Sequence, residues 1–119
     1  MYALRGATSV EENTRAAIEG AAAELCAKLL AANALTPRDV VSAFFTSTRD
    51  LDAAFPASGA RASGWTEVAM LCSHEMEVAG ALPRILRVLV HVDAPAPEKR
   101  RHVYLGRATA LRPDWAEGS

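Results

Sequence analysis

The sequence predicts an α/β (α+β) fold, a mixed five-stranded sheet with one long helix on one face. Three observations lead there. Five short segments rich in β-branched and aliphatic residues are spread along the 119 residues. A single segment carries a sustained apolar repeat of helical period. The strands after that segment follow one another through short connections.

Residues 2–8 alternate loosely and hold few helix signals, so they read as the first strand, which runs into a polar turn at Ser9. Thr14 reads as a helix N-cap, and Glu11 and Glu12 stand just ahead of it, where the helix dipole favours anions. Ile18, Ala22, Leu25, Leu29 and Ala32 then recur at spacings of four, three, four and three. That is one apolar stripe on a helix of about five turns. Asn33 is its stop signal. Thr36-Pro37-Arg38-Asp39 repeats a cap signal with Pro at the first helical position, but no long helix follows. The next run, Val40 to Thr48, is β-branched and aromatic and reads as a central strand. Residues 50–63 form a loop with a short helix after Pro56, broken at Gly64. Glu67 to Ser73 reads as the third strand, and residues 80–83 as a turn. Arg84 to Val92 is the most apolar run and reads as the fourth strand. Ala94-Pro95-Ala96-Pro97 is a rigid connection. His102 to Leu111 supplies a last short strand, or a strand plus turn. Residues 115–119 read as a frayed tail of a single domain spanning 1–119.

Composition narrows the function. Half the residues are apolar, but alanine supplies much of that half and there are few aromatics. Such a core is thin, so subunit contacts are expected to reinforce it. The sheet face away from the long helix also needs a cover, and association is the simplest source. The net charge of −1 lacks the footprint of a nucleic-acid binder. Lys99-Arg100-Arg101 is too short for a basic patch and reads as a solvated loop. Cys26 and Cys72 lie far apart with no CxxC, which favours a reducing compartment. No charged-then-apolar leader is read, and no apolar run approaches the roughly 18 residues of a membrane span. The expected location is cytoplasmic.

The chain contains no GxGxxG, no Walker loop and no GxSxG elbow. Cys72 and His74 would share a strand face, but two ligands do not make a zinc site, so neither metal nor cofactor is expected. What remains is a set of arginines on or next to predicted strands: Arg5, Arg61, Arg84, Arg87 and Arg112. Arg87 is the most telling, because it interrupts the apolar run Ile85 to Val92. A charge there is unfavourable unless it is paired or binds an anion. Pattern leaves both readings open, a salt-bridged or edge-facing arginine and an anion site. Guanidinium matches carboxylate bidentately, so several such arginines point to a small dicarboxylate. Pattern stops short of a reaction.

At these residues the sequence resembles the AroH-type, trimeric bacterial chorismate mutases, over residues 2–115. Four blocks carry the likeness: Arg5-Gly6-Ala7-Thr8; Phe55-Pro56-Ala57 with Arg61 and Ser63-Gly64-Trp65; Cys72 with Glu75-Met76; and Arg101-His102-Val103-Tyr104-Leu105 leading to Leu111-Arg112-Pro113-Asp114. Each block is weak alone, and their order and spacing together are specific. The resemblance implies a pseudo-barrel homotrimer with active sites in the clefts between subunits, and conversion of chorismate to prephenate without any cofactor. It also implies roles. Arg87 would donate to the ether oxygen of the breaking bond, Arg5 would bind a carboxylate, and Glu75 would accept from the ring hydroxyl. Tyr104 would hydrogen-bond a carboxylate. Phe55, Cys72 and Leu111 would shape the pocket wall, and Arg61 and Arg112 would gather at its mouth. The family often has a Lys where this chain has Ser58, so one positive charge at the site entrance is missing. Two other readings stand beside this one. The first is a non-catalytic trimeric module that binds a small carboxylated metabolite at subunit clefts. The second is an imine-hydrolysing deaminase on a similar trimer, which would need a positioned water.

Overall fold

Residues 1–115 are described in a computed structural model. The chain runs β1 (Tyr2–Ser9), α1 (Arg15–Ala32), β2 (Val40–Ser47), α2 (Pro56–Ala62), β3 (Ala69–His74), β4 (Ile85–Val92) and β5 (Val103–Tyr104), with short 3-10 turns after α1 and after β5. The strands form one sheet in the order β3-β2-β4-β1-β5. β4 is antiparallel to both of its neighbours, whereas β2–β3 and β1–β5 are parallel, so the sheet is mixed as expected.

α1 starts where its cap says. The Thr14 hydroxyl accepts from the Ala17 N–H, and Asn33 closes the helix by donating its own N–H to the last turn. The buried residues of α1 are Ile18, Ala22, Leu25, Cys26, Leu29 and Leu30. Ala32, expected at the end of the stripe, is exposed, and Cys26 and Leu30 widen the stripe instead. Burial pushes the Cys26 thiol up to about 12, so it packs as a small apolar group.

α2 lies beside α1 on the same sheet face. Gly59 makes this possible, because a Cβ there would sit 2.2 Å from the Glu19 carbonyl oxygen. The core fills between these helices and the inward rows of the strands, with Leu4, Phe45, Val88, Val90 and Val92 against Ile18, Leu25, Leu29 and Ala60.

The largest differences from the expected boundaries are at β3, β4 and β5, and the other strand ends agree within one residue. β3 begins at Ala69 rather than Glu67. β4 begins at Ile85, because Arg84 takes a left-handed backbone (φ 49°) with its N–H on the Asp50 carboxylate. The Arg84 guanidinium donates to the Val10 carbonyl, so this arginine is a turn anchor. β5 is only two residues long, and the chain bends at Gly106 (φ 56°) into a 3-10 turn over Gly106–Ala110. Pro113–Trp115 forms another 3-10 turn, and residues 116–119 of the expected frayed tail lie outside the described residues.

Candidate active site

Residues directly opposite one another on neighbouring strands share a sheet face. One such row crosses all five strands: Ser73, Thr46, Arg87, Ala7 and Tyr104. The next row on the same face is Leu71, Phe44, Leu89 and Arg5. The row between them, Cys72, Phe45, Val88, Gly6 and Val103, points to the helices. Arg87 therefore stands on the face that the helices leave open, beside Arg5 and in line with Tyr104.

The charge of Arg87 is answered by Glu75, just past the end of β3. The Arg87 Nε lies 2.6 Å from the Glu75 Oε1. The contact is an ion pair rather than an aligned hydrogen bond, and it leaves the buried Nε–H donor unfilled. Two bonds to β2 fix the glutamate. Its N–H donates to the Ser47 carbonyl at 2.9 Å, and its Oε1 accepts from the Thr46 hydroxyl at 3.2 Å. Glu75 is the more sheltered partner, with 15% of its side chain exposed against 36% for Arg87. The pair combines a sheltered acceptor with a cation that still reaches solvent.

Tyr104 is fully buried and packs with Ala7, Ile85 and Ala108, and Leu111 closes over the group. Arg112 follows immediately and pairs with Asp114, its Nη2 2.9 Å from Oδ2, a bond that lowers the acid's pKa and raises the arginine's. Arg5 holds the other flank. Its N–H donates to the His102 Nδ1 at 3.0 Å. Burial lowers the His102 pKa first, and the nearby charges of Arg5, Arg112 and Arg100 lower it further, so the ring is neutral at pH 7.

The chain does not bring every expected residue to this cluster. Cys72 points to the helix side, and β2 and β3 lie between its side chain and the open face. It lines a cavity of about 590 Å³ together with Phe55, Pro56, Ser58, Ser73 and His74. Phe55 is 71% exposed at the start of α2, and Arg61 is exposed in that helix's last turn. Within one chain, then, Arg87, Glu75, Arg5 and Tyr104 gather on the open sheet face with Leu111 and Arg112 beside Tyr104, whereas Phe55 and Cys72 line a separate cavity and Arg61 lies exposed on α2. Two contributors escape a pattern reading. Thr46 faces Glu75 only because of the β2–β3 register, and His102 acts through a ring nitrogen that spacing alone does not aim.

Residues 1–115 match the family model described as chorismate mutase type I. The chain belongs to that family. It is 46% identical over 113 residues to "Chorismate mutase AroH" of Thermus thermophilus, with 93% of each chain covered. It is 41% identical over 113 residues to the protein of that name from Bacillus subtilis (strain 168), covering 93% of this chain and 89% of the relative. Among solved structures it is similar to a chorismate mutase from Clostridium thermocellum, with a TM-score of 0.90 and 42% identity. That match covers 93% of this chain and all of the other. The mixed sheet and its two helices are thus the type I chorismate mutase fold.

Proposed function

We propose that this type I chorismate mutase isomerises chorismate to prephenate, a step of aromatic amino acid biosynthesis, in clefts between copies of the chain in a homotrimer. The reading rests on one observation. An arginine inside the most apolar strand is held on the uncovered sheet face by Glu75, beside Arg5 and in register with Tyr104.

In the rearrangement one C–O bond breaks while one C–C bond forms within a single molecule. No nucleophile or proton relay is involved, so the rate gain comes from binding the compact transition state more tightly than the substrate. The ether oxygen gains negative charge as its bond breaks. Arg87 stands there as a preorganised cation and stabilises that charge more than it stabilises the ground state. Glu75 holds the guanidinium and accepts from the ring hydroxyl. Arg5 and Tyr104 bind carboxylate and hold the substrate folded so that its reacting ends meet. Leu111 walls this side, and Arg112 attracts the dianion at the mouth. Phe55, Cys72 and Arg61 of a neighbouring copy complete the far wall. These two groups read as two half-sites on one chain, and the exposed hydrophobics Leu71, Phe44 and Leu89 on the open face favour that assembly. None of the helices in the described residues is long and apolar enough to cross a membrane, and both cysteines are free. These features agree with work in the cytoplasm.

The test is loss of the ultraviolet absorbance of chorismate with prephenate as product, measured beside Arg87→Ala. The variant is expected to lose about 100- to 1,000-fold in kcat, the usual effect of removing one preorganised donor. If neither protein consumes chorismate while calorimetry detects its binding, the chain is a non-catalytic binding module.

A further inference from the structure

β1 is held differently along its two halves. Its C-terminal half lies between β4 and β5, with Gly6 opposite Val103 and Ala7 opposite Tyr104, and the Leu105 N–H donates to the Ala7 carbonyl. One step further back, a parallel ladder would hand the Arg5 N–H to the carbonyl of Arg101. That carbonyl is turned to Asn33 instead. Asn33, the C-cap of α1, donates its amide to the Arg101 carbonyl at 2.8 Å and accepts from the Arg101 N–H at 2.9 Å. The helix end thus draws residue 101 away from β1 and stops β5 at two residues. The Arg5 N–H, buried enough to need an acceptor, finds one in the His102 ring at 3.0 Å.

We propose that His102 is a positioning residue, whose ring nitrogen replaces a strand carbonyl and so fixes the Cα of Arg5 and the direction of its side chain toward substrate. The proposal rests on the reading of Arg5 as a ligand for a substrate carboxylate. An Nδ1 that accepts carries its proton on Nε2, so the anchor is the neutral ring. Protonation turns Nδ1 into a donor facing another donor, and the anchor is lost. Among the described residues the charged groups that act on the ring are Arg5 on β1, Arg112 beyond the 3-10 turn and Arg100 in the preceding loop, and all three oppose that proton. Burial does most to keep the ring neutral, and Arg5 and Arg112, the arginines read as substrate ligands, add to it.

Arg5 stays in place of its own accord through the β1–β4 ladder, so the expected loss falls mainly on capture and only slightly on the chemical step. His102→Gln, whose amide cannot reach the Nδ1 position, should raise KM for chorismate about fivefold, the usual effect of one lost hydrogen bond, and leave kcat within about twofold. His102→Asn places its amide oxygen near the Nδ1 position and should restore the native KM. The native KM should climb as pH falls through the ring's titration, and the Asn variant should stay flat there. The Arg5 amide proton in a heteronuclear NMR titration supplies a readout that needs no substrate. It should shift with the His102 ring in the native protein and not in the Asn variant. An Arg5 amide that ignores the ring's titration overturns the anchor, whatever the activity. An amide that follows the ring, in a protein whose KM is the same in the native and Gln forms, overturns the link to substrate. If the amide follows but chorismate is not turned over at all, the reading of Arg5 as a ligand falls, and the positioning role falls with it.

Discussion

Single side chains divide the work at the Arg87 cluster. Thr46 contributes one hydroxyl to Glu75, and that hydroxyl helps decide where the carboxylate points. Thr46→Val keeps the volume and removes the bond, so it should lower kcat about fivefold, while Thr46→Ser should stay near native in the chorismate assay. His102 also ties stability to pH. Its folded pKa lies below the ordinary value of 6.5. The unfolded chain therefore binds a proton more readily, and folding stability present above about pH 6.5 is lost as pH falls through the folded pKa. Urea midpoints measured between about pH 7 and 5 should decline, and His102→Asn should flatten that part of the decline. Cys26, with its thiol pushed up to about 12, should resist a disulfide-exchange reagent in the native protein and react once the chain is unfolded.

The elements show which parts of the sequence spoke clearly. The cap at Thr14, the stripe from Ile18 to Leu29 and the β-branched run from Val40 were legible because each signal is local: a hydroxyl, a period, a backbone preference. The extent of β5 was not legible. It is set by Asn33 reaching Arg101 across 68 positions of sequence, a contact with no local signature. The site was legible to the same depth. Arg87 announced itself as a charge in an apolar run, but its partner on the open face, and the facing of Cys72 toward the helices, followed only from the register of β2 with β3. The helix pair offers a direct test at this scale. Gly59 lets α2 approach the Glu19 backbone, and there is no flexible side chain to yield to a Cβ. Gly59→Ala should destabilise by about 1–3 kcal/mol, read as a lower denaturant midpoint with an unchanged slope.

For the whole molecule, the proposed half-sites make a quantitative statement about assembly. Arg87→Ala disables one half, and Phe55→Ala combined with Arg61→Ala disables the other. If sites form between copies, the two inactive proteins, unfolded and refolded together in equal amounts, should recover about a quarter of native activity from random assortment. Recovery of none would place each site within a single chain. Phe44→Asp, in the exposed row of the open face, should shift sedimentation toward monomer and remove activity with it. The strand order has a further consequence, in time rather than space. Among the described residues β1 pairs only with β4 and β5, and the ladder partner of Ser9 is Ile85. A chain that emerges N-terminus first finishes β1 long before the ribosome has made anything to pair with it. β4 must also slot between β1 and β2, so the sheet cannot grow outward from its first strand. Ladders this distant in sequence close slowly, on the order of milliseconds to seconds. The nascent chain therefore carries its first strand, with Arg5 already in it, as an unpaired edge until synthesis is nearly complete.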